Sequence, residues 1–402
     1  MEFYAFHLMP WPHLPADFAA DKTHYPSAWV TLSNACYDPV EGQHIYNRYL
    51  DELEYAEKLG FDGVCVNEHH QNAYGTMPAP NIIAAMLARR TTRLKLAIVG
   101  NGLPLRDHPL RVAEEVAMLD VVTGGRIISG FVRGIGCEYF SLGVNPTYSM
   151  ERFREAHDLI IRAWTETGPF SWEGKHYEVR YVNVWPRPLQ KPHPPIWIPG
   201  FGSRETIEWC ADPRRKYTYL AVYMPEHLVK RFFDMYRESA EKYGYTASPS
   251  QLGHLVPVYV AETDARAEEE AAGHLVWLYH YGLRHKQEFL FPPGYVSHSS
   301  MQGILQSAPE MDWGRMSFRE LNEKGFGVVG CAATVRQRLA AYARDLGFGL
   351  LPVLLQFGDM PHHKTVKNME LFATEVMPHL RGIHAGAKPV AAAAADWQRE
   401  HN

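Results

Sequence analysis

The stretch FDGVCVNEHHQNAYG, residues 61–75, opens as an apolar run and then sets Glu68, His69 and His70 side by side before breaking into polar residues and glycine. A short, continuously apolar run rich in β-branched residues and bounded by turn-formers reads as a strand buried on both faces. Runs of the same kind recur at residues 2–9, 95–100, 126–132, 195–200, 218–223, 254–261 and 350–357, which with 62–67 makes eight. Amphipathic helix patterns such as YLDELEYAEKLG, LRVAEEVAMLDVV, MERFREAHDLIIRAW and TVRQRLAAYARDLG lie between most of them. Parallel neighbours need a crossover, so this alternation predicts an α/β fold with a parallel sheet. Eight strands close a (β/α)8 barrel, whereas a doubly wound sheet stops near six.

The remaining length falls into insertions near 10–46, 169–195 and 274–325, which a barrel would carry as loops, chiefly over the C-terminal ends of its strands. The expected organisation is a single barrel domain over 1–385 followed by an Ala-rich tail at 386–402. Lys plus Arg number 40 against 45 Asp plus Glu, a formal charge of −5 with no basic block, which argues against nucleic acid or an anionic membrane as partner. No apolar run approaches the roughly 20 residues that span a bilayer, and no basic leader opens the chain. Five dispersed cysteines fit a reduced compartment, so the expectation is a soluble cytoplasmic protein, with Cys65 a buried strand residue.

In a closed barrel the reactive residues sit at the C-terminal strand ends, where EHH falls. Successive strand side chains alternate between faces, so one of His69 and His70 is expected to face the mouth and the other the surrounding loops. A barrel metallohydrolase would place alternating histidines on its first strand; strand 1 carries a lone His7 and the chain has no His-x-His, so no metal is expected. GFVRGIGCEY (130–139) puts Arg133 just past a strand, with Gly134 and Gly136 allowing close backbone approach. Arg133 suits a phosphate, or alternatively an ion pair with Glu138. IPGFGSRETIEW (198–209) ends a strand in Gly200 and Gly202 and sets Ser203 at a helix N-cap with Thr206 beyond it, an anion site or a plain cap. Neither glycine cluster completes a dinucleotide fingerprint, since Tyr139 and Glu205 stand where the third glycine belongs.

Taken together with LPLRDHPLRVAEEVAMLDVVTGGR (103–126), PVYVAETDARAEEEA (257–271) and FGDMP (357–361), these motifs resemble the bacterial luciferase-like flavin-dependent monooxygenase family. The resemblance implies a TIM barrel holding reduced FMN, or in some branches a deazaflavin, at its C-terminal mouth. By position, His69 resembles the family histidine beside the flavin ring that supports the C4a-hydroperoxide, and is the catalytic candidate. Arg133, Gly134, Gly202, Ser203 and Thr206 resemble the phosphate-binding groups. Val99, Gly100 and Asn101 resemble the backbone under the isoalloxazine ring. His7, Met9 and His70 are expected on the substrate side. The implied reaction is a two-component FMN and oxygen-dependent monooxygenation of a small apolar or aromatic molecule, with a separate NAD(P)H:flavin reductase as partner. The helix in AEEVAMLDVVTGGR resembles the family's dimerisation helix, which implies a homodimer. The alternatives are deazaflavin-dependent hydride transfer and a flavin-binding protein without catalysis.

Overall fold

The computed structural model describes residues 1–297, 301–302, 305 and 312–384; the Ala-rich tail lies outside them, as does part of the third insertion. Its frame is a closed barrel of eight parallel strands. Strands β1 (Glu2–Phe6), β2 (Gly63–Val66), β3 (Lys95–Gly102) and β4 (Ile127–Val132) pair in chain order. After the antiparallel hairpin of β5 (Phe170–Glu173) and β6 (Glu178–Val182), the barrel continues through β7 (Ile196–Gly200), β8 (Thr218–Val222) and β9 (Leu252–Ala261). Strand β10 (Val328–Cys331) pairs in parallel with the outer stretch of β9, and β11 (Leu350–Leu354) closes the ring against β1. Helices surround the barrel, and among the described residues none is long and apolar enough to cross a membrane.

All eight barrel strands fall on the runs read from the sequence, because each is buried on both faces and needs no alternation to be seen. Which face is inward follows from contacts. The Tyr4 ring meets Trp197 of β7, across the barrel, edge-on at 4.9 Å, while Phe3 meets Phe372 of an outer helix at 6.0 Å. Residues 4 and 6 of β1 therefore point into the lumen, and through the register Tyr4↔Gly63 and Phe6↔Cys65 so do residues 63 and 65 of β2. A side chain at Gly63 would lie 2.5 Å from the Tyr4 ring. Cys65 is buried in the lumen, and burial pushes its thiol pKa up, as expected of an inert core cysteine.

Between β3 and β4 the register slips by one residue, from Ile98↔Ser129 to Asn101↔Phe131. The extra residue is a bulge at Val99 and Gly100, whose joining peptide is cis. The two backbones approach so closely here that a Cβ on Gly100 would sit 2.7 Å from the carbonyl of Gly130, and one on Gly130 would strike the Ile98 carbonyl. Helix Pro39–Lys58 begins inside the first expected insertion: Asp38 accepts from the Val40 and Glu41 amides at 2.7 and 3.2 Å, with Pro39 at the first helical position. The loop part of that insertion thus ends at residue 38. Helix Pro109–Thr123 stops at Gly124, which takes a left-handed φ of 67°.

The first and third insertions meet over the C-terminal mouth. The Trp29 indole N–H donates to the Gly282 carbonyl at 2.8 Å, Ser27 Oγ to the Arg284 carbonyl at 2.8 Å, and the Arg284 guanidinium to the Phe18 carbonyl at 2.7 Å. Trp277 and Tyr279 lie buried in the core, with the Tyr279 hydroxyl on the Phe326 carbonyl at 2.6 Å.

Candidate active site

The strand ends at Val66, and Glu68, His69 and His70 follow in the loop just past it. The two histidines part company at once. His69 Nδ1 lies 3.1 Å from Glu138 Oε1, whereas His70 Nε2 lies 2.9 Å from Glu68 Oε1. Their rings answer to different carboxylates and do not converge on a common ion.

Glu138 is 1 % exposed and receives three donors. Its Oε2 accepts the Ile135 amide at 2.7 Å, and its Oε1 accepts the His70 amide at 3.3 Å besides the His69 ring. The first of these closes the N-terminus of the short helix Gly136–Leu142. A carboxylate at Nδ1 fixes the proton on that nitrogen and leaves Nε2 as the basic atom of the neutral ring. The His69 side chain is 14 % exposed, with Trp29 edge-on at 5.1 Å and Tyr74 at 5.2 Å. Sequence reading gave Glu138 only the part of a partner for Arg133; the structure gives it to His69.

Glu68 organises a second network beside this one. Its Oε2 accepts from Arg106 Nη2 at 2.5 Å and from the Gly102 amide at 3.3 Å, and Arg106 Nη2 also reaches Asn101 Oδ1 at 3.2 Å. Burial lowers the His70 pKa, but the Glu68 hydrogen bond and the charges of Glu68 and Glu138 outweigh it, and the net shift is upward. A raised folded-state pKa contributes stability that is full below the unfolded value of about 6.5 and is lost as the pH rises through the folded value. The wild type should therefore lose more unfolding free energy than His70→Gln as the pH rises from about 6.5 into the alkaline range. Urea titrations across that window test it; parallel curves would refute it.

Arg133 and the Gly200–Thr206 segment come to neighbouring strand ends, since Gly130 of β4 pairs with Trp197 of β7 and each segment lies three residues further on. The Arg133 guanidinium donates to Ser149 Oγ at 3.3 Å and to the Tyr295 carbonyl at 2.9 Å, with its carbon 4.5 Å from the Tyr295 ring centre. Gly134 has φ 83°, and the Tyr295 hydroxyl reaches its carbonyl at 2.5 Å. Ser203 is the N-cap residue of helix Arg204–Ala211 yet its hydroxyl makes no cap bond. Gly202, at φ 90°, is pressed against the Phe232 ring where no side chain fits, and its amide donates to the Tyr219 hydroxyl at 2.9 Å. Thr206 follows on the first helical turn.

His7, by the β1 alternation, points outward, is 3 % exposed, and sits between Glu52 Oε2 at 3.0 Å and the Met9 amide at 2.9 Å, against the Tyr49 ring. Met9 is fully buried in the core at φ 54°. Val99, Gly100 and Asn101 form the bulged end of β3 described above, where Asn101 Nδ2 and, just past β2, Asn67 Oδ1 are buried without hydrogen-bond partners among the described residues.

The luciferase-like monooxygenase family model matches residues 27–348. The oxygenase component of the flavin-dependent trigonelline monooxygenase of Acinetobacter baylyi is 24 % identical over 84 % of this chain and 90 % of its own. Among solved structures, the FMN-bound oxygenating constituent of 3,6-diketocamphane monooxygenase of Pseudomonas putida superposes with a TM-score of 0.69 at 19 % identity, covering 94 % of this chain and 98 % of that one. The coenzyme F420-dependent tetrahydromethanopterin reductase of Methanopyrus kandleri does so with a TM-score of 0.61 at 18 % identity, over 83 % and 95 %. A family match over residues 27–348, most of the chain, means that the chain belongs to the luciferase-like monooxygenase family.

Proposed function

We propose that this protein is the oxygenase component of a two-component flavin-dependent monooxygenase, taking reduced FMN from a separate NAD(P)H:flavin reductase. The observation that carries the reading is the pairing of His69 with the buried Glu138 at a barrel mouth whose neighbouring strand ends bear a phosphate-type donor set. The residues present fit the cofactor. The Ser203 hydroxyl is free of cap duty at a helix N-terminus, Arg133 stands on the adjoining strand end, and the unpartnered atoms Asn67 Oδ1 and Asn101 Nδ2 offer an acceptor and a donor to a polar ring edge. The bulge at Val99 and Gly100 leaves only backbone between that edge and β4.

Bound reduced FMN would supply the two electrons that split dioxygen, one oxygen atom going to the substrate and the other to water. The chain's own residues bind, orient and move protons. Arg133, Ser203 and Thr206 would hold the phosphate, and Gly134 and Gly202 would let the backbone close on it. Glu138 orients the His69 ring so that Nε2 can give or take a proton at the mouth. The covering insertions, with Trp29 and Tyr74 beside His69, exclude water.

The test is rapid mixing of the protein and reduced FMN with oxygenated buffer. Return of the oxidised-flavin spectrum more slowly than for free flavin supports the reading; an unchanged rate together with tight binding of a reduced deazaflavin would replace it with hydride transfer. Arg133→Ala should weaken reduced-FMN binding about 10–100-fold, the worth of one charge-assisted contact, in an anaerobic titration. An unchanged affinity would remove Arg133 from the phosphate site. The reading extends to a cytoplasmic homodimer: Met118, Val121 and Val122 of helix Pro109–Thr123, with Ile82 and Met86 of the packed helix Pro80–Arg90, form an exposed apolar face. Val122→Glu should shift the sedimentation coefficient to that of a monomer, and a wild type already monomeric would refute the dimer.

A further inference from the structure

A second histidine stands at the covered mouth, in a segment without sequence periodicity. His285 follows the helical turn Trp277–Gly282, and the backbone before it is pinned by the first insertion through Trp29 to Gly282 and Ser27 to Arg284. Arg284 itself is clamped on the Phe18 ring at 4.4 Å. So held, the His285 ring lies 4.6 Å from the Trp29 indole, which at the same time meets the His69 ring at 5.1 Å and stacks on Tyr74 at 5.1 Å and 26°. Two imidazoles thus face one aromatic wall.

Their surroundings differ in kind. His69 has the Glu138 carboxylate; among the described residues both ring nitrogens of His285 expose less than 1 Å² and have no hydrogen-bond partner. Burial, with a smaller contribution from His69, pushes the His285 pKa down to about 3, so the ring is neutral at working pH and presents one N–H donor and one bare acceptor nitrogen. Leaving such groups dry and unpaired is unfavourable, and an apolar ligand would not relieve it. A ligand oxygen would. Without a carboxylate to move protons through, His285 is suited to recognition rather than to acid–base chemistry.

We infer that His285 is a specificity-determining residue that hydrogen-bonds a hydroxyl group of the substrate at the covered mouth, on the side where His69 works. The inference deepens the flavin reading and rests on it. The probe pair is 2-naphthol and naphthalene, with dissociation constants measured by equilibrium dialysis on the full chain with FMN present. The wild type should bind 2-naphthol about tenfold more tightly than naphthalene, the worth of one buried hydrogen bond. His285→Leu should abolish that preference while binding naphthalene at least as well, and His285→Gln, which keeps a donor and an acceptor, should retain part of it. Equal or absent binding of the two probes to the wild type, an unchanged preference in His285→Leu, or a uniform weakening of both probes in both variants would overturn the inference. A wild type that fails to bind reduced FMN yet prefers 2-naphthol would sink the flavin reading and uphold this one, so the two can fail separately.

Discussion

Glu138→Ala is expected to lower the free energy of unfolding by about 3–5 kcal/mol, the range for breaking a buried charged contact by removing one partner. The carboxylate is almost fully buried, and its loss strands the Ile135 amide, the His70 amide and the His69 ring nitrogen at once. Glu138→Gln is the sharper probe. A carboxamide can keep one acceptor oxygen but must turn its NH2 towards either the Ile135 amide or the His69 and His70 donors, and donor facing donor costs about 1–3 kcal/mol. Urea unfolding at constant m-value reads both losses. A cost below about 1 kcal/mol for the alanine variant would mean that the loop after β4 reorganises and that Glu138 does not hold His69.

The barrel was legible because its strands are apolar on both faces and separated by long amphipathic helices. What escaped was local and short. Strand β10 is four residues, VVGC, wedged against a helix start, and the β5–β6 hairpin alternates intermediate and exposed residues within a Pro-rich stretch. The start of helix Pro39–Lys58 was readable from Asp38, Pro39 and Glu41, but the surrounding aromatic residues masked it. For the site, strand alternation separated the roles of His69 and His70, yet it could not set the phase of β1. Only the contact of Tyr4 with Trp197 shows that even-numbered residues point inward, which turns His7 towards Glu52. Glu138 lies 69 residues from His69, and its sequence signal, an acidic residue at the third position of a helix, is the signal of an ordinary cap. His285 and Trp29 meet through two aperiodic insertions, and no pattern in either predicts the other.

His69→Ala is expected to speed the return of the oxidised-flavin spectrum after mixing with oxygen by about 10²-fold, towards the behaviour of free flavin, the scale of a positioned proton donor or acceptor. The argument is geometric. With Nδ1 committed to Glu138, the ring has one working atom, Nε2, on a side chain that is 14 % exposed and lies beside Trp29 and Tyr74. The proposed phosphate anchors lie just past the ends of β4 and β7, two strands and more away from β2, and the affinity for reduced FMN should stay within a few-fold. Arg133→Ala should do the reverse, weakening affinity while leaving the rate at saturating flavin close to that of the wild type. A structural role for His69 would move both quantities together. Added imidazole offers a further distinction: the alanine variant leaves a ring-sized gap beside Glu138, and a free imidazole bound there should slow the return of oxidised flavin in proportion to its neutral fraction. A rate that neither changes on mutation nor responds to imidazole would show that His69 packs against Trp29 and does nothing to the flavin.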